Sequence, residues 1–136
     1  MNNASTLYAL VVDDSKLDRY LAEKMLAGTE LFSKIICLTL AKDALEFVRE
    51  AQWSPNDRVM CFIDIHMPLM NGFEFMDEIM RLPQGKTSMY EFFLISSSIS
   101  EDDINKANSY ADTRHVAKPL TKISILSLIE EENPHV

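Results

Sequence analysis

Five short apolar runs, each followed by a segment of helical period, constrain this chain more than any other feature. The runs are LYALVV (7–12), KIICLTL (34–40), RVMCFI (58–63), YEFFLI (90–95) and RHVA (114–117). They are almost continuously apolar and rich in β-branched and aromatic residues. A strand with one wet face would alternate instead, so these runs predict strands covered on both faces, as in a parallel sheet. The intervening segments repeat their apolar residues at helical spacing. Leu17, Leu21, Met25 and Leu26 form one expected stripe, with Gly28 as its C-cap. Ala44, Leu45 and Val48 form a second; Phe73, Met76, Ile79 and Met80 a third; Ile104, Ala107 and Tyr110 a fourth. Ile125, Leu128 and Ile129 form the fifth, with Thr121 as N-cap. The eight methionines read as core filler rather than as a metal or partner surface.

Strand and helix thus alternate five times. The pattern predicts a doubly wound α/β domain, a five-stranded parallel sheet with five helices and right-handed crossovers. At 136 residues, with few glycines and prolines and no linker-like tract, one domain spanning 1–136 is expected, its core about 7–131. A formal charge of −8 argues against a surface for nucleic acid or an anionic membrane. No apolar run approaches the ~20 residues of a membrane span. The opening MNNASTLYALVVDD has no basic region or cleavage pattern, and Cys37 and Cys61 lie in apolar runs without metal-ligand spacing. Two reduced, buried thiols and a cytoplasmic location are the expectation.

In such a fold, ligands bind outside the carboxyl ends of the strands. The third run ends on Asp64, which is followed at once by a turn, IHMPLMNG. Burying an unpaired carboxylate costs several kcal/mol, so Asp64 belongs at the wet rim or beside a cation. The first run ends in VVDDS, bringing Asp13 and Asp14 to that rim; the fourth ends at Ser96, and the fifth at Lys118-Pro119. Each is weak alone: an acidic pair after a strand also serves as a helix N-terminal charge, Lys-Pro as a turn, and a serine run as a loop. Together they describe three carboxylates, a hydroxyl and an ammonium. Carboxylates so gathered repel unless a cation joins them, and hard oxygen ligands suit Mg2+. A carboxylate beside Mg2+ and a lysine can also serve as a nucleophile toward phosphorus.

With DD, D-I-H-M-P-L-M-N-G, the serine and K-P in register, the chain resembles the receiver domain of two-component response regulators from Tyr8 to about Glu130. The resemblance implies a flavodoxin-like receiver fold of strand order 2-1-3-4-5. It implies Asp64 as phosphoacceptor, and Asp13, Asp14, Asp64 and the backbone carbonyl of His66 as the oxygens around Mg2+. Lys118 would pair with the phosphoryl group, Ser96 would move to hydrogen-bond it, and the Lys118-Pro119 bond would be cis. Such a protein is a switch that assists its own phosphorylation and dephosphorylation rather than an enzyme. Its phosphoryl donor would be a sensor histidine kinase or a histidine phosphotransfer protein. Its downstream protein target would bind the face of the fourth helix, fifth strand and fifth helix. The run to EEENPHV leads to the expectation of a stand-alone receiver without an output domain.

The switch position three residues before the lysine, commonly Tyr or Phe, is His115. This is either a tolerated polar replacement or a sign of weaker, pH-sensitive coupling. His66 and Ser98, two residues beyond the acceptor and the hydroxyl, would edge the path of hydrolytic water. A phosphorylation-independent receiver-like binding module is the alternative. A Mg2+-dependent phosphatase would show D-x-D near the first strand, where this chain has DDS.

Overall fold

The structure, a computed structural model, describes residues 5–98 and 100–131. The ends of the expected domain, 1–4 and 132–136, and most of EEENPHV lie outside the described residues. The elements run β1 (Thr6–Val12), α1 (Lys16–Gly28), β2 (Phe32–Leu38), α2 (Ala41–Glu50), β3 (Asp57–Asp64) and α3 (Gly72–Ile79). They continue with α4 (Gln84–Thr87), β4 (Tyr90–Ser96), α5 (Glu101–Ser109), β5 (Thr113–Ala117) and α6 (Lys122–Glu130). All strand pairs are parallel, in the order β2-β1-β3-β4-β5. The doubly wound α/β sheet and its order are as the sequence predicts.

The apolar runs are continuous because successive strand residues feed two separate cores. Leu10, Val59, Cys61, Ile63, Phe92 and Leu94 pack toward α2 and α3. Their neighbours Ala9, Val11, Met60, Phe62, Phe93 and Ile95 pack toward α1 and α6. Phe62 and Phe93 stack on that second side at 5.0 Å between ring centroids. Among the described residues no helix is long and apolar enough to cross a membrane.

Five expectations need correction. The described residues hold six helices rather than five, because Pro83 opens a single turn, α4, between α3 and β4. With a glycine inside it, that turn shows no helical period in the sequence. The α1 stripe is only partly buried: Ala22 and Leu26 face the core, while Leu17 is 64% and Leu21 40% exposed. At about 3.6 residues per turn, Leu17 falls on the side of the helix opposite Leu26. Likewise Met80 follows the end of α3 and is exposed. Gly28 is the last residue of α1 and not its cap. Thr29 caps it, its hydroxyl donating to the Leu26 carbonyl at 2.7 Å, and the left-handed residue is Glu30. Cys61 is buried as expected, but Cys37, on the edge strand β2, is only half-buried.

The end of β3 is held by the start of α3. Asn71 and Glu74 form a reciprocal capping box, and the Gly72 amide donates to the Ile65 carbonyl at 2.9 Å. A Cβ on Gly72 would lie 2.9 Å from the Asp64 carbonyl oxygen, from Ile65 Cα and from Leu94 Cδ2. Two of those are backbone atoms that cannot step aside. Gly72→Ala is therefore expected to cost about 1–3 kcal/mol, measured by denaturant unfolding. Gly28→Ala, where a Cβ meets nothing within 4 Å, should be neutral or stabilising.

Candidate functional site

Sheet register brings the strand ends together. Val12 pairs with Ile63, Asp64 with Ile95, and Ser96 with Ala117. The residues just beyond β1 and β5 thus flank Asp64 and Ser96. The Lys118 amide continues the ladder, donating to the Ser96 carbonyl at 2.9 Å, and the Lys118-Pro119 bond is cis.

Asp13 and Asp64 are buried, at 1% and 7% exposure, while Asp14 is exposed. One carboxylate oxygen from each of the three lies within 4.8 Å of the others. The Asp13 Oδ1 accepts from the Ser15 amide at 2.9 Å, and the Asp64 Oδ1 from the His66 amide at 3.1 Å. The other oxygens meet Lys118, whose Nζ lies 2.8 Å from Asp13, 2.9 Å from Asp18 and 3.3 Å from Asp64. A cleft of about 290 Å³ opens beside them, lined by Asp13, Asp18, Leu21, Lys118, Pro119 and Leu120.

Burial raises the Asp64 carboxyl above the usual carboxylate range, aided by the Asp13 charge and opposed by the His66 amide and Lys118. Burial alone would lower the Lys118 ammonium. Hydrogen bonds to Asp13 and Asp18 and the charges of Asp64 and Asp13 reverse that and hold it above its ordinary value. Lys118 is therefore a fixed cation. The remaining hard oxygens in a mostly buried cluster fit Mg2+, which takes carboxylates and keeps waters.

Ser96 is buried, only 1% exposed. Its hydroxyl donates to the Ser98 carbonyl at 2.9 Å, and its Oγ lies 3.0 Å from His115 Nε2. With that proton committed, the His115 ring donates through Nε2. Burial lowers the His115 pKa despite the Asp103 charge, so the ring is neutral near pH 7. His66 points its imidazole outward, 3.6 Å from Asp103.

The structure thus brings Asp13, Asp14, Asp64 and Lys118 into one cluster, with Ser96 and His115 paired at its edge. Asp18 and the Ser15 amide were not anticipated from the sequence. Asp18 lies in the first turn of α1, where an acid ordinarily complements the helix dipole, so its sequence position does not mark it as part of the site.

A profile of the response regulator receiver domain matches residues 9–130. The chain belongs to this family. Among solved structures it is similar to a response regulator receiver protein from Dyadobacter fermentans, with TM-score 0.82, 26% identity, and coverage of 92% of this chain and 96% of that one. A two-component response regulator from Cytophaga hutchinsonii gives TM-score 0.79 and 27% identity over 92% and 95% of the two chains. The fold is shared with the Mg2+-complexed receiver domain of the histidine kinase CKI1 from Arabidopsis thaliana, at TM-score 0.72 and 21% identity over 91% of each chain. No curated protein matches the sequence significantly.

The raised Asp64 pKa has a consequence for stability. A carboxylate that ionises less readily when folded lowers stability as pH rises from the ordinary carboxylate range to its folded pKa, and the full penalty stands at neutral pH. Asp64→Asn is expected to raise the metal-free melting temperature by a few degrees at pH 7. Thermal scans with a chelator should show that gain shrinking as pH falls through the raised folded pKa and gone below about pH 4, where the unfolded carboxylate is also protonated.

Proposed function

We propose that this receiver is a phosphorylation switch with Asp64 as its phosphoacceptor. The observation that carries this reading is the placing of the Lys118 ammonium 3.3 Å from Asp64 Oδ2, beside the Asp13–Asp14–Asp64 cluster. The donor is a sensor histidine kinase or a histidine phosphotransfer protein, and the setting is the cytoplasm. An Asp64 oxygen attacks the phosphorus of the donor's phosphohistidine; a P–O bond forms, the P–N bond breaks, and the imidazole leaves with the electron pair. Asp13, Asp14, Asp64 and the His66 carbonyl would hold Mg2+. When bound, the ion offsets negative charge on the phosphoryl oxygens.

Lys118 contributes a second, permanent positive charge to those oxygens. Its contact with buried Asp13 keeps the ammonium at the rim. Ser96 is the hydroxyl donor that completes the cradle. To reach a phosphoryl oxygen it gives up the Ser98 carbonyl and the His115 ring. Since His115 lies on β5, that exchange biases the α5–β5–α6 face, where a downstream protein target binds. This is the face of the fourth and fifth helical segments of the sequence, α4 being the extra turn. Hydrolysis returns the switch to rest, with His66 and Ser98 beside the path of the water.

Intact-mass spectrometry after incubation with acetyl phosphate tests the reading. One phosphoryl adduct that requires both Mg2+ and Asp64 is expected, and Asp64→Asn should show none. An adduct that persists in Asp64→Asn would place the chemistry elsewhere. No adduct at any quench time would favour a binding module that works without phosphorylation.

A further inference from the structure

The Lys118 ammonium has three N–H donors and meets three carboxylates, at 2.8 Å from Asp13, 2.9 Å from Asp18 and 3.3 Å from Asp64. Asp18 differs from the other two. It sits in the first turn of α1 with a side chain 38% exposed. It is not among the residues whose oxygens cluster within 4.8 Å, which are Asp13, Asp14 and Asp64. Its contact with the site is therefore through the ammonium and not through a bound cation. Arg19, the adjacent cation, is engaged by the Asp13 carbonyl at 2.8 Å.

We infer that Asp18 is a positioning residue that restrains phosphoryl capture, by holding Lys118 in its resting arrangement and fixing a negative charge at the mouth of the site. This rests on the reading of Asp64 as phosphoacceptor. Phosphorylation replaces one charge on Asp64 with the larger charge of a phosphoryl group. Lys118 must then turn toward the new oxygens while Asp18 competes for it at hydrogen-bond distance. The Asp18 carboxylate also repels the incoming dianion across a short, partly desolvated gap. Both effects oppose capture, and both vanish when the charge is removed without changing the side chain's shape.

The test is beryllofluoride affinity at saturating Mg2+, followed by amide NMR on wild type, Asp18→Asn and Asp18→Glu. Asp18→Asn is expected to bind about threefold or more tightly, the scale of a partly exposed ion pair. The advantage should narrow with added salt, since exposed charges are screened over about 10 Å at 0.1 M. Asp18→Glu keeps the charge and should stay near wild type. The α1 N-cap survives these changes, because the Asp18 backbone amide, not its side chain, meets Ser15 Oγ. Equal or weaker binding by Asp18→Asn, or a gain indifferent to salt, would overturn the inference while leaving the phosphoacceptor reading intact. Failure of wild type to bind at all would bring down that reading and this inference with it.

Discussion

Everything at the functional end of this molecule depends on one ammonium. Without Lys118, Asp13 and Asp64 would be mostly buried carboxylates gathered at the rim of the sheet, each of them accepting from a backbone amide but with no side-chain cation on its carboxylate among the described residues. Coulomb repulsion at such distances, in a medium less polarisable than water, amounts to several kcal/mol. Lys118 relieves it by touching both acids, and they in turn hold its proton firmly. The arrangement is short of positive charge, since one lysine meets three carboxylates and Asp14 stands beside them. That shortage fits the cluster to a small hard cation.

The fold delivers this cluster through register rather than through any local motif. Parallel pairing stops β1, β3, β4 and β5 at one level, so four separate chain exits converge. Gly72 then lets α3 close against the back of Asp64, with no room for a methyl group between them. On the opposite flank, the pairing of Leu94 with His115 and Ser96 with Ala117 sets Ser96 and His115 diagonally on one face. Their hydrogen bond is the physical link between the rim and β5, and it exists because the chain carries a polar ring at residue 115. A phenylalanine at that position could couple only by packing.

Most of this was legible in the sequence for a definite reason. A strand covered on both faces has no tolerable place for a carboxylate except where it leaves the core, so Asp13 and Asp64 reveal both the strand ends and the side of the sheet that carries the site. Ser96 and Lys118 follow from the same reasoning. Thr121 was readable as a cap, and the structure adds its reciprocal bond with Ser124. What escaped detection depended on the third dimension. An acid in a first helical turn, as Asp18 is, ordinarily complements the helix dipole, and nothing in its neighbours shows that α1 carries it back over Lys118. Helical period placed Leu17 in a core stripe because periodicity shows that residues share a face without showing which face meets the sheet. The hydrogen bond between Ser96 and His115 needs the β4–β5 register, and a sequence does not state its register.

The central claim is that the strand ends form a cation-seeking cluster poised around Asp64. The most direct measurement is a Mg2+ titration of the isotopically labelled protein followed by two-dimensional amide NMR. Saturable shifts are predicted at residues 13–15, 64–66 and 118, with those of β2 and the α3–β4 connection unmoved. Shifts scattered over the acidic surface without saturation, or none at residues 13 and 64, would contradict it.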